Sequence, residues 1–158
     1  IANSLVTAIF FCSHIFFSSA VNYNIQICLF ENNHHHICLS CLFPNEEDAL
    51  ISRAAAKINC KEFTGAIVDL DEAIKLNSKN PISYCYRGVA KSENKAFKEA
   101  LDDYNTAIKL KFDYAAAFFN RAATKMAIKD KIGACDDLNK ADGLGNLQAA
   151  RIIDKYCK

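Results

Sequence analysis

Displaced by 34 residues, the stretch 47–148 falls onto itself twice. Six columns are then identical in all three copies: Arg53/Arg87/Arg121, Lys57/Lys91/Lys125, Ala66/Ala100/Ala134, Asp69/Asp103/Asp137, Ala73/Ala107/Ala141 and Leu76/Leu110/Leu144. Others keep their type: Leu50/Tyr84/Phe118 is large, Ala54/Gly88/Ala122 small, and Leu70/Tyr104/Leu138 large again. A fixed period of this length restricts the chain to stacked copies of one supersecondary unit, because a single copy cannot bury its own apolar face. The units run 47–80, 81–114 and 115–148.

Within each unit the apolar residues recur at three- and four-residue steps, as in Leu50, Ala54 and Ile58, then Ala66, Leu70, Ala73 and Leu76. That is the period of a helix face. Polar stretches at Cys60–Glu62, Ser92–Lys95 and Lys129–Asp130 divide the halves. Connections this short require antiparallel helices. Residues equidistant from the turn then face each other, so Ala54 meets Ala66 and Leu50 meets Ala73, small against small and large against small. Arg53 and Asp69 are mirrored about the same turn, as are Arg87 with Asp103 and Arg121 with Asp137. Two readings stand: a repeated ladder that fixes register, or solvated ion pairs contributing about 0–1 kcal/mol each.

A 34-residue helix–turn–helix unit with these large, small and alanine columns resembles the tetratricopeptide repeat (TPR) family. The resemblance covers 47–148, about two-thirds of the chain. There are departures. Ser78, Phe112 and Asn146 stand where the family has a proline after the second helix, although Pro81 opens the second unit at a helix start. Lys57/Lys91/Lys125 replace the family's tyrosine column, and Lys131 stands where Phe63 and Phe97 precede it. After unit three, Gly145 and Asn146 stop one helix and cap another over 146–158, whose Leu147, Ala149, Ala150, Ile152, Ile153 and Tyr156 would cover the last apolar edge. The expected fold is therefore all-α: a solenoid of three TPR units with a C-terminal capping helix.

Stacked hairpins curve, and their first helices line a concave face. The resemblance implies a groove that holds a peptide or helix of another protein. Its columns here are Ile51, Ala55 and Ile58; Ile82, Cys85, Val89 and Ser92; and Ala116, Phe119, Ala123 and Met126. In the co-chaperone branch of the family, Lys, Arg and Asn on this face clamp an acidic C-terminus. The matching positions are Ile51, Ala55, Tyr86, Ala116 and Asn120, which supply no cation, so a clamp of that kind is rejected. The expected ligand is an amphipathic helix or extended apolar segment of a protein of unknown identity.

Composition sets further limits. With 19 Lys and Arg against 18 Asp and Glu, the net charge of +1 gives no basic field for nucleic acid. There is no Gly-rich phosphate loop, no Gly-flanked Ser nucleophile and no His in the repeats. Asp102-Asp103 and Asp136-Asp137 read as solvated steps rather than acid–base pairs. The expectation is a non-catalytic interaction scaffold without a cofactor.

Residues 1–46 differ in kind: all 19 basic residues follow Ser52, whereas all four His and six of eleven Phe precede Glu46. Residues 5–17 are apolar and lead to Ser18-Ser19-Ala20, so 1–20 reads either as a signal or anchor segment or as an extension, the only route to a membrane. Export or anchoring is accordingly favoured over a cytoplasmic site, and the alternative function is a membrane-tethered component of an envelope assembly. Residues 21–46 read as an extension or hairpin. His34-His35-His36, Cys28 and Cys38-x-x-Cys41 have ligand chemistry, but one CxxC without a second pair is read as no metal site. Cys135 and Cys157 lie ten and twelve residues from Gly145, which puts them opposite each other across the last turn. They form a disulfide in an oxidising compartment, worth about 3 kcal/mol in the chain-entropy model, or remain two buried thiols.

Overall fold

The computed structural model describes residues 47–157. The readings made for 1–46 (signal or anchor, hairpin, Cys/His cluster) lie outside them. Among the described residues seven helices follow one another: α1 Glu47–Asn59, α2 Phe63–Leu76, α3 Pro81–Glu93, α4 Phe97–Leu110, α5 Ala115–Ala127, α6 Lys131–Gly143 and α7 Leu147–Tyr156. α1 pairs with α2, α3 with α4 and α5 with α6, and each hairpin stacks on the one before it. α7 packs on α6 at the end of the stack. No helix among the described residues is long and apolar enough to cross a membrane.

The starts of α3, α6 and α7 follow from capping chemistry, whereas α2, α4 and α5 begin without a side-chain cap. Asn80, Asp130 and Asn146 accept backbone N–H bonds from Ile82, Gly133 and Gln148 respectively, and Pro81 occupies the first turn of α3. The stops within each hairpin share one device. Glu62 N–H donates to Lys57 O, Ala96 N–H to Lys91 O and Asp130 N–H to Lys125 O, the long bond of a Schellman turn. That turn needs a left-handed residue, and Lys61, Lys95 and Lys129 supply it at φ 62°, 67° and 66°. Only after α6 does the same turn use a glycine, Gly145 at φ 87°. The α3–α4 connection is shorter than the polar run suggests: Ser92 and Glu93 are still helical, because the turn is closed by Asn94–Ala96.

The core is built from the repeated columns. Ala66, Ala73, Ala100, Ala107, Ala134 and Ala141 are completely buried, so helices approach at the contact distance that only a methyl group allows. Leu70, Tyr104 and Leu138 fill the space between paired helices. In the second unit Tyr104 is the largest of the three, and its ring lies where a Cβ at position 88 would come within 2.7 Å. Gly88 therefore replaces the alanine found at 54 and 122 because Tyr104 replaces leucine.

The Arg–Asp columns form a ladder with buried rungs. Asp69, Asp103 and Asp137 are 3–4% exposed, which excludes the solvated reading. Each takes a two-pronged arginine: Arg53 at 2.9 and 2.7 Å, Arg87 at 2.9 and 2.6 Å, Arg121 at 2.8 and 2.5 Å. Lys57, Lys91 and Lys125 reach the same carboxylates at 2.7–2.8 Å, which gives the lysines a structural reason to stand in the family's tyrosine column. Arg87 Nη1 also donates to Asp71 and Arg121 Nη1 to Asn105, each in the preceding hairpin. Burial opposes the charge on Arg87, but Asp103 and Asp71 outweigh it and hold the guanidinium well above its usual range.

Candidate functional site

α1, α3 and α5 lie side by side and present the concave face. Polar contacts between them fix their spacing. Ser83 Oγ donates to Glu47 at 3.4 Å, and the same carboxylate accepts from Asn77 and Asn80 in the loop after α2. Ser92 Oγ meets Thr124 Oγ1 at 2.9 Å, and Asn120 Nδ2 lies 3.7 Å from Cys85 Sγ. Ser83 and Thr124 are fully buried, so these bonds satisfy groups that would otherwise be costly to cover.

The thirteen expected groove residues divide by depth. Ile51 and Cys85 are 8% and 4% exposed and form the floor, with Ile51 joining the first core cluster beside Leu50 and Ala90. Ala55, Ile58, Val89, Ser92, Phe119, Asn120 and Met126 are half-buried. Ile82 and Tyr86 stand out at 42% and 37%, and Ala116 and Ala123 are exposed. Phe119 and Met126 pack on the third core cluster, the one that also receives Ile152 and Ile153 of α7. None of the thirteen carries a charge.

Cys85 is the groove's one thiol. Burial pushes its pKa up, against smaller opposing effects from Asn120 and Tyr114, so it is a neutral thiol at physiological pH and a poor nucleophile. Tyr114, from the loop before α5, is itself raised by burial and the nearby Cys85. Asn120 is the single amide at a clamp-equivalent position, and its Nδ2 is directed to Cys85. Thr124 and Tyr114 are contributors that the sequence reading missed. The signal available was weak: Thr124 sits 32 residues beyond Ser92, near the repeat length, in a column otherwise filled by alanine.

At the other end of the array, Cys135 of α6 and Cys157 just after α7 are joined in a disulfide with Cα atoms 5.7 Å apart. Lys131, the residue that replaces a phenylalanine, places its ammonium 5.7 Å from the Tyr156 ring on α7. No group of His, Cys, Asp and Glu among the described residues is arranged to hold a metal.

No protein-family model and no curated protein sequence matches the chain. Solved structures do. The Arabidopsis OM64 TPR domain is 24% identical, with 71% of this chain and 93% of that one covered at a TM-score of 0.66. The first TPR domain of human RPAP3 is 22% identical, covering 72% and 91% at 0.68. The first TPR of Spaghetti (RPAP3), solved bound to the HSP90 peptide SRMEEVD, is 22% identical, covering 70% and 90% at 0.66. These likenesses establish the fold: the described residues form a TPR solenoid with three units and a capping helix.

Proposed function

We propose that this TPR solenoid is a non-catalytic scaffold whose concave face binds an apolar, non-acidic segment of a partner protein. The observation that carries the reading is the groove's chemistry. Ile82, Tyr86, Val89, Phe119 and Met126 offer accessible apolar surface on a wall without a single cation. Apolar strips of this kind on a protein surface mark contact sites, and a helix face or extended segment is the ligand that fits a groove between parallel helices. The Spaghetti domain was solved with an acidic peptide. The clamp-equivalent positions of this chain (Ile51, Ala55, Tyr86, Ala116 and Asn120) have nothing to neutralise such carboxylates, and Asn120 is already engaged with Cys85. Burying a carboxylate there without a cation would be unfavourable by several kcal/mol, on the order of the cost of an unpaired buried charge.

Selection from a displayed library of random peptides tests this directly. The expected winners carry apolar residues at helical or alternate spacing and few acids, while SRMEEVD shows no measurable binding. Phe119→Glu and Tyr86→Glu should each abolish capture of the selected peptide with the helical circular dichroism unchanged. Tight binding of SRMEEVD, or capture indifferent to both substitutions, overturns the reading.

A further inference from the structure

We propose that the Cys135–Cys157 disulfide is a thiol-controlled latch on α7, and that its reduction uncovers the apolar end of the array. α7 has ten residues, a length at which an isolated helix is marginal in water. One apolar stripe and two fastenings do most to hold it, with the Lys131 ammonium over the Tyr156 ring as a weaker contact at the far end. The stripe is Ala149, Ile152 and Ile153, packed on the cluster that contains Leu138 and Ala141 of α6 and receives Phe119 and Met126 of α5. The first fastening, at the start of α7, is the Gly145 turn with the Asn146 cap. The second is the disulfide at the far end, so that α7 is held at both ends. Its outer positions Arg151, Asp154 and Lys155 are exposed and add no burial.

Both cysteines are half-buried, not sealed, so a small thiol reaches the bond. The chemistry is thiol–disulfide exchange with a dithiol reductant. A reductant thiolate attacks one protein sulfur, the Cys135–Cys157 S–S bond breaks and the released thiolate takes up a proton. The second reductant thiol then attacks the mixed disulfide and frees the other cysteine. Two electrons pass to the protein pair, which becomes two thiols, and the reductant becomes a disulfide. With its far fastening gone, α7 opens from the Tyr156 end, and the Leu138 and Ala141 surface of α6 on which it packed meets solvent. This inference is independent of the groove reading, and its test needs no groove ligand.

Hydrogen exchange on the full chain, oxidised and then treated with dithiothreitol, provides that test. The expected result is exchange of the 147–156 amides about tenfold faster or more after reduction, with α1–α4 unchanged. Fluorescence of 1-anilinonaphthalene-8-sulfonate should rise in parallel. The chain has eight cysteines, so the doubly substituted Cys135→Ser/Cys157→Ser protein isolates the pair. Without reductant it should match the reduced wild type, and dithiothreitol should change nothing further. Unaltered protection of α7 on reduction overturns the latch. So does a doubly substituted protein that stays closed, or a loss of protection spread evenly over every helix.

Discussion

Along the ladder, Arg53, Arg87 and Arg121 meet Asp69, Asp103 and Asp137 in three nearly superposable arrangements, while on the concave face the same three units present Ile51, Cys85 and Phe119, or Ile58, Ser92 and Met126, at corresponding positions. The contrast has a physical origin. Each rung solves the same problem, a carboxylate buried between two helices that requires a guanidinium and an ammonium in fixed places. The groove positions share no such requirement: Ile51 and Cys85 sink to the floor while Ile58, Ser92, Phe119 and Met126 stay half-buried, so no one residue type is demanded there. Strict repetition therefore marks what holds the units together, and variation marks what they offer.

The comparison breaks if the two surfaces respond alike to substitution. Asp103→Ala should be the most damaging change, costing about 3 kcal/mol in urea denaturation, because it takes the carboxylate from Lys91 in a half-buried site and leaves Arg87 with Asp71 alone. Its near neighbour Asp71, with a side chain 46% exposed, should cost about 1 kcal/mol or less when replaced by alanine. A similar loss at both positions would mean that burial is not what makes the ladder important.

Gly88→Ala comes next, at about 2 kcal/mol, since the new methyl would sit within 3.0 Å of the Tyr104 ring. Adding Tyr104→Leu should recover most of that loss, restoring the alanine–leucine pairing of units one and three. Failure of the rescue in thermal melts would show that Gly88 and Tyr104 are not a coupled pair.

Smaller, and opposite in sign, are Lys61→Gly, Lys95→Gly and Lys129→Gly. Each relieves a left-handed backbone that disfavours a side chain and should raise stability by about 0.5–1 kcal/mol. Tyr86→Gln on the groove should be the mildest, within about 0.5 kcal/mol by calorimetry, while weakening the selected peptide. A large loss of stability at Tyr86 would make it part of the core and remove it from the binding surface.

Much of the architecture is legible in the 34-residue rhythm, because Ala66, Leu70, Ala73 and their copies must face a partner helix wherever they recur. Pro81 and Asn146 likewise announce helix starts from local chemistry. The left-handed lysines were not legible. Nothing in a Lys at 61, 95 or 129 signals positive φ; the Schellman bonds impose it, and the exposed side chains allow it. The depth of the groove residues was hidden for a related reason. Ile51 and Cys85 occupy the same face of the first helices as Ile82 and Tyr86, and only their packing against neighbouring helices sinks the first pair to the floor.

The period, the columns that repeat within it and the spacing of Cys135 from Cys157 about Gly145 are properties of the chain itself, since each depends on residues near enough in sequence to constrain one another. Which carboxylates lose their water, which arginine reaches back to the hairpin before it, and which apolar groups remain exposed were settled only when the hairpins stacked. Burial is a property of three-dimensional neighbours, and those neighbours lie about half a repeat or more away along the chain.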